Sequence, residues 1–182
     1  MKEISMHILD LVQNSIQAQA NNIGIEINEN QGDDSFVLSI TDNGQGMDEI
    51  TLSRIMDPFF TTKNKKTGLG IPLLRQHTEL TGGRVEIESK PGIGTRITGI
   101  FGYSHLDRQP LGDIIGTITG LIRSYPQLDF EYTHRLNQQH FDLSTFEIKK
   151  ELEGISIANG EVIEFIKEMI SENLKALQTS HK

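Results

Sequence analysis

Residues 35–47 read SFVLSITDNGQGM, an apolar stretch that runs directly into a glycine-rich turn. The alternation from Ser35 to Thr41 predicts a half-buried β-strand that ends at Asp42. Eight of the 17 glycines fall between Gly44 and Gly94, in pairs separated by one residue or none. Such pairs indicate backbone that turns sharply or approaches another group closely.

The turn after this strand has the residue types of a binding loop. The Asp42 carboxylate can accept a hydrogen bond from an exocyclic amine. Gly44 and Gly46 leave room for a flat ring against the backbone, and Met47 can supply an apolar wall. A plain type I turn explains the same residues, so the motif alone is weak.

The first helix, predicted from about Ser5 to Ala20, has an apolar side and a polar side. The polar side carries residues at intervals of three and four, namely His7, Asp10, Asn14 and Gln17. The Asn14 amide oxygen is a hard ligand suited to Mg²⁺, and the Asp10 carboxylate can orient or deprotonate a nucleophile. A solvated polar face is the alternative interpretation.

Two further motifs, DPFFTTK at 57–63 and TGLGIPLL at 67–74, flank a lysine-bearing loop. Gly68 and Gly70 precede a helix whose first backbone N–H groups can face an anion. Lys63 and its neighbours Lys65 and Lys66 could close over a polyphosphate, or form a solvated loop. Neither Gly-x-x-x-x-Gly-Lys-Ser/Thr nor Gly-x-Gly-x-x-Gly occurs, which disfavours both common nucleotide folds.

The order of predicted elements favours an α+β fold. Strands are predicted at 23–27, 35–41, 84–89 and 95–101, with helices at 5–20, 48–56 and 71–81. We expect a two-layer sandwich, with helices on one face of a mixed, mostly antiparallel sheet. Tyr103 ends this part, giving a predicted first domain at 1–103.

The remainder, 104–182, is predicted to be a C-terminal α/β extension of unknown role. Its pattern indicates a helix ended by Pro126, a hairpin, a short helix with a capping box at Ser144, and a final amphipathic helix. The hairpin could also extend the first sheet. Gly112, Gly116 and Gly120 at four-residue spacing predict a tightly packed helix.

Taken in order, the motifs resemble those of the GHKL superfamily, whose members share the Bergerat ATP-binding fold. DLVQNSIQA is similar to its N box, DNGQGM and GLGI to its two glycine boxes, and DPFFTTK to its phenylalanine-containing box. The resemblance covers about 1–103. It implies ATP and Mg²⁺ as ligands, with Asn14 on the metal and Asp42 on the adenine amine.

The same resemblance assigns the remaining site residues. Gly44, Gly46 and Met47 belong to the first glycine box, and Gly68, Leu69 and Gly70 to the second. Lys63 lies on the lysine-bearing loop between these two boxes, which the resemblance identifies as a lid. Thr95, in a Gly-x-Gly-Thr box, is implied to help hold adenine through water.

The reaction stays open at this point. Hydrolysing members and serine-kinase anti-sigma factors place a glutamate base where this chain has Asp10, whereas histidine kinases generally place Asn there. The sequence of the PFFTTK motif instead resembles the corresponding box of histidine kinases. The fragment SHLDRQP at 104–110 shares Ser, His, Arg and Pro with their phosphoacceptor box, but Leu106 replaces the acid. We interpret His105 as structural, with phosphoacceptor as the alternative.

Composition limits the partners and the compartment. The chain has 182 residues, no cysteine and a net charge of −8. Disulfides, thiolate metal sites and a cysteine nucleophile are therefore excluded, and broad nucleic-acid binding is disfavoured. No apolar run reaches the length of a membrane span, so we expect no membrane partner and a cytoplasmic location.

The sequence thus predicts an enzyme that binds Mg-ATP and either hydrolyses it slowly or transfers its γ-phosphate to a protein. The alternative is a nucleotide-gated interaction module without significant catalysis. A protein partner is expected but not identified, and a homodimer is possible.

Overall fold

The computed structural model describes residues 2–55, 57 and 69–179. These residues form six helices: α1 (Ile4–Gln17), α2 (Glu49–Arg54), α3 (Gly70–Leu80), α4 (Ile114–Ser124), α5 (Thr145–Glu151) and α6 (Gly160–Thr179). They also form six strands: β1 (Asn22–Asn30), β2 (Ser35–Asp42), β3 (Arg84–Lys90), β4 (Gly94–Gly102), β5 (Asp129–Leu136) and β6 (Gln139–Ser144).

All six strands belong to one sheet, in the order β3-β4-β2-β1-β5-β6. Neighbouring strands are antiparallel except β1 and β5, which pair in parallel. The predicted α+β fold with a mixed, mostly antiparallel sheet is therefore confirmed. The C-terminal hairpin of β5 and β6 extends the sheet that begins at the N-terminal end of the chain. The division of domains at Tyr103 remains a prediction.

The core lies on one face of this sheet. One row of paired residues crosses all six strands and is apolar throughout: Ile87, Ile97, Ile40, Ile25, Tyr132 and Leu143. Because side chains alternate between faces, the neighbouring row through Glu26, Ser39 and Thr98 lies on the opposite, polar face. There Ser39 and Thr98 hydrogen-bond at 3.1 Å.

α1, α3 and α6 pack on the apolar face because each has an apolar stripe at helical spacing. In α1 the buried positions include Ile4, Ile8, Leu11 and Val12, as the sequence predicts. In α6 they are Ile163, Ile166, Ile170 and Leu177. Among the described residues, no helix combines the length and apolar character that a bilayer crossing needs.

The segment before α4 attaches the extension to the start of α1. The backbone N–H groups of Ile4 and Ser5 donate to the carbonyls of Pro110 and Leu111, both at 3.0 Å. These bonds satisfy donors that a helix N-terminus otherwise leaves unpaired. Gly112 follows with φ of +77°, and a side chain there would overlap Glu3 and Ser5.

The predicted packing of the glycine column is wrong. Gly112 lies outside α4, and a Cβ added at Gly120 would have no neighbouring atom within 4 Å. A Cβ at Gly116 would overlap the side chain of Asp113, the N-cap of the same helix. Of the three glycines, Gly112 is therefore the one that is approached closely by another element, at the start of α1.

His7 also differs from its predicted place on a polar face, because its side chain is fully buried. Its Nε2 lies 3.0 Å from Nδ1 of His77 on α3 and 2.9 Å from Oε1 of Gln109. Burial lowers the pKa of His7 from 6.5 to about 4, the hydrogen bond with Gln109 opposes this, and the charge of His77 adds to it. His7 is therefore neutral at the junction of α1, α3 and the extension.

Acidification from pH 6.5 towards pH 4 is expected to destabilise the chain. In this window the unfolded imidazole of His7 takes up a proton and the folded one does not, so the free energy of unfolding falls by up to about 1.4 kcal/mol per pH unit. The variant His7→Gln lacks this titration. Urea titrations across the window should show its stability approaching that of the native chain as the pH falls.

The matched control is His140→Gln, because the side chain of His140 is 52% exposed on β6. Because His7 is intact in this variant, its stability should still fall between pH 6.5 and pH 4. A curve for His7→Gln that runs parallel to the native curve would contradict the assignment.

Candidate functional site

Asp42 is the last residue of β2, and two donors orient its carboxylate. Oδ2 accepts a hydrogen bond from the hydroxyl of Ser15 on α1 at 2.7 Å, and Oδ1 accepts one from the backbone N–H of Gly44 at 2.9 Å. Ser15 is buried on the apolar stripe of α1, three residues after Val12. The carboxylate is thus held between the sheet and the helix layer.

Sequence reasoning missed Ser15. The available signal was its position, because a hydroxyl at core spacing among Ile8, Leu11 and Val12 needs a polar partner when buried.

Thr95 lies beside Asp42, since the two residues are paired across β2 and β4. Its hydroxyl is 2.8 Å from that of Ser89, and Ser89 Oγ accepts a hydrogen bond from the backbone N–H of Met47 at 2.8 Å. Ser89 therefore connects the DNGQGM motif, through Met47, with the Gly-x-Gly-Thr box, through Thr95. No local pattern singles out Ser89, because the connection exists only once β3 and β4 are paired.

The turn at 43–47 packs tightly against its own chain. The N–H of Gln45 donates to the carbonyl of Ala18, and the carbonyl of Gln45 accepts from Gly92, both at 2.8 Å. Gly46 has φ of +66°, and a Cβ there would overlap the carbonyl of Lys90. A Cβ at Gly44 would lie 2.7 Å from the carbonyl of Ala18. The glycines are therefore required by backbone contacts, independently of any ligand.

Asp10 and Asn14 lie one turn apart on α1, with Asp10 exposed and Asn14 half-buried. The Asp10 carboxylate faces the start of α3, because a Cβ added at Gly70 would lie 3.4 Å from its Oδ2. Leu69, at the N-cap of α3, is exposed and provides no side-chain cap. The first turn of α3 therefore meets the acid-bearing side of α1.

The structure brings the predicted residues together in two connected groups. Asp42, Gly44, Gly46, Met47 and Thr95 gather at the ends of β2 and β4. Asp10, Leu69 and Gly70 meet where α1 approaches α3. α1 joins the two groups through Ser15, which contacts Asp42, and Asn14 precedes Ser15 on the same helix. Lys63 and Gly68 lie outside the described residues.

Substitution Gly46→Ala is expected to destabilise the chain by more than about 1 kcal/mol, because it combines a left-handed backbone with overlap at the Lys90 carbonyl. Gly82→Ala is the matched control, since Gly82 has φ of +75° and open space around it. Urea unfolding of both variants separates the free-energy cost of the left-handed backbone from the cost of the overlap with the Lys90 carbonyl. Equal losses in the two variants would contradict the tight packing of the turn.

Comparison with known proteins identifies the family to which the region of the candidate site belongs. Residues 2–103 match the family model described as histidine kinase-, DNA gyrase B-, and HSP90-like ATPase. The chain is 41% identical over 91 residues to the sensor protein kinase FleS of Pseudomonas aeruginosa, covering 50% of this chain and 23% of FleS. It is 34% identical over 91 residues to the sensor histidine kinase ZraS of Escherichia coli O157:H7, covering 50% of this chain and 20% of ZraS. The chain thus spans less than a quarter of the length of either relative.

The fold is also similar to a solved structure, the N-terminal domain of a DNA repair protein. The TM-score is 0.55 at 14% identity, over 79% of this chain and 52% of that chain. The likeness in fold therefore reaches beyond 2–103 into the extension. Because the family model covers more than half of the chain, the chain belongs to the histidine kinase-, DNA gyrase B- and HSP90-like ATPases, an ATP-binding family.

Proposed function

We propose that the chain binds Mg-ATP between α1, α3 and the ends of β2 and β4, and that it hydrolyses ATP slowly or transfers the γ-phosphate to a protein. The observation that carries the proposal is the orientation of the Asp42 carboxylate by Ser15, on the same helix that bears Asp10 and Asn14. The proposed metal ligand and base thus share α1, and Ser15 links that helix to the proposed binding group on β2.

The Asp42 carboxylate has the capacity to recognise adenine. A carboxylate offers about four lone-pair positions, and Ser15 and Gly44 occupy two of them. The remaining positions can accept a hydrogen bond from the exocyclic amine. Because the two existing donors fix the direction of the carboxylate, little ordering is needed on binding.

The amide oxygen of Asn14 is a hard ligand of the kind that magnesium binds. Among the described residues there is no group of three or more His, Cys, Asp or Glu side chains that could hold a metal ion. Mg²⁺ commonly takes one or two protein oxygens and completes its shell with phosphates and water. Asn14 would supply such an oxygen, and the bound ion would neutralise charge on the phosphates.

Asp10 is the proposed base. It would accept the proton of water or of a protein hydroxyl as that oxygen forms a bond to the γ-phosphorus. The bond between the γ-phosphorus and the bridging oxygen breaks, and ADP leaves with the electron pair. The approach of Asp10 to the first turn of α3, where backbone N–H groups attract anions, supports this role.

A nucleotide-gated interaction module is the second candidate. Three contacts favour it, because they tie the extension to the helix that carries Asp10 and Asn14. Gln109 contacts His7 at 2.9 Å, and the carbonyls of Pro110 and Leu111 accept from the first turn of α1. A shift of α1 on nucleotide binding would thereby reach the extension. A protein partner, a homodimer and a cytoplasmic location remain proposals under either function.

Asp42→Asn is expected to weaken ATP binding by about a hundredfold, because the amide replaces an acceptor for the adenine amine. Ser15→Ala should weaken binding by about tenfold while leaving the acceptor in place. Titration calorimetry with ATP, ADP and a nonhydrolysable analogue, with and without magnesium, measures both effects.

The control is Asp142→Asn, an acid on β6 whose side chain is 56% exposed. It should bind ATP as the native chain does. Native affinity retained by Asp42→Asn would refute the proposed adenine contact.

Asp10→Asn is expected to bind Mg-ATP with native affinity and to release phosphate at least about a hundredfold more slowly, because a general base contributes that much to the rate. Steady-state phosphate release measures the effect. Native turnover in this variant would remove Asp10 from the mechanism.

Radiolabelled ATP distinguishes the ATPase or kinase from the nucleotide-gated interaction module. Transfer of radiolabelled γ-phosphate to protein, followed by acid and alkali treatment, separates phosphohistidine from phosphoserine. Binding of ATP with neither phosphate release nor labelled protein would favour the interaction module.

A further inference from the structure

A groove of about 520 Å³ lies between α5 and the first turns of α6, apart from the nucleotide site. Its apolar walls are formed by Ile148 of α5, by Leu152 at the C-cap of that helix, and by Val162 and Phe165 of α6. We call this surface the α5–α6 groove. It runs along the side of the molecule where α5 packs on β5 and α6 packs on β5 and β6.

The groove leaves large apolar side chains in contact with water. Phe165 is 64% exposed although its neighbour Ile166 is fully buried in the core. Ile148, Leu152 and Val162, which line the groove together with Phe165, are only partly buried. Apolar surface that is clustered, rather than scattered singly, is typical of an interaction site.

The groove is built on a fixed helix. The side chain of Thr145, the first residue of α5, accepts the backbone N–H of Phe130 at 2.7 Å. Nζ of Lys149 donates to the carbonyl of Leu128 at 2.6 Å and to Asp129 at 2.9 Å. These bonds hold α5 against the start of β5. A partner therefore meets a preformed surface and does not have to order it.

The charges that line the groove are acidic. Glu147 and Glu151 of α5 and Glu161 of α6 line it together with the apolar residues. Lys150 pairs with Glu147 at 2.9 Å and lies 4.1 Å from the centre of the Phe146 ring. Glu151 and Glu161 form no ion pair within the described part of the chain. The groove thus has an apolar floor and two uncompensated carboxylates.

We propose that the α5–α6 groove binds an amphipathic helix of another protein, with apolar anchors against Phe165 and lysine or arginine beside Glu151 and Glu161. A groove between two helices accepts a third helix through residues at i, i+3, i+4 and i+7. Complementary charge then selects a basic partner and speeds its association.

The carboxylates disfavour the other occupants. A second copy related by twofold symmetry would bring the same acidic groove against itself. An anionic lipid surface or a nucleic acid would face Glu151 and Glu161 with like charge. A basic helical segment is the occupant whose charge matches.

The test uses the full chain and a fluorescent peptide of about four helical turns, with leucine at the four anchor positions and lysine elsewhere. One matched peptide has glutamate in place of lysine, and another has the leucines scrambled. Fluorescence anisotropy should show micromolar binding of the lysine peptide and at least about tenfold weaker binding of both others. The affinity should fall as salt rises.

Variants of the chain locate the binding surface. Phe165→Ser is expected to weaken peptide binding by at least about tenfold. Leu106→Ser, at a residue that is 99% exposed elsewhere, should change nothing. The double variant Glu151→Gln and Glu161→Gln should weaken binding and reduce its salt dependence, and it keeps the proposal testable if Phe165→Ser fails to fold.

Four outcomes would overturn the proposal. These are equal binding of lysine and glutamate peptides, equal affinity of Phe165→Ser and Leu106→Ser, self-association of the native chain that Phe165→Ser abolishes, and binding to phosphatidylglycerol vesicles that Phe165→Ser abolishes. ATP binding by Phe165→Ser should be native. The proposal is therefore independent of the proposed function, and failure of either is seen separately.

Discussion

The register of the six-stranded sheet is the constraint on which the rest of the structure depends. The row from Ile87 to Leu143 is apolar in every strand, so a slip of one residue in any strand would turn its apolar side chains to water. Asp42 lies two residues after Ile40 and therefore shares its face. The same register thus buries the core and directs the Asp42 carboxylate towards Ser15 on α1. The buried core and the orientation of the Asp42 carboxylate therefore depend on the same register.

Much of this could be predicted from the sequence, because the signals are local. The apolar periodicity of α1, the alternation in β2 and the glycine-rich turns each fall within a short stretch. The motif resemblance predicted a GHKL ATP-binding module, and the family match over 2–103 confirms it. It also named Thr95, which the structure pairs with Asp42. The roles of these residues towards ATP and magnesium stay predictions.

Other features could not be predicted because they depend on contacts between distant segments. The parallel pairing of β1 with β5 leaves no local pattern, since each strand alternates in the same way with any partner. The helical spacing predicts a polar face that includes His7, because its neighbours at that spacing are polar, yet the side chain of His7 is buried against His77 and Gln109. Gly44 and Gly46 were correctly singled out, but their close neighbour is the protein backbone itself.

The parallel pairing of β1 with β5 also has a kinetic consequence. Ile23 pairs with Phe130, which is synthesised about a hundred residues later. At ordinary rates of translation this delay is on the order of ten seconds. During that interval β1 presents an open edge, and such edges pair with strands of other chains. The order of strands along the chain thus determines how long β1 stays without its parallel partner during synthesis.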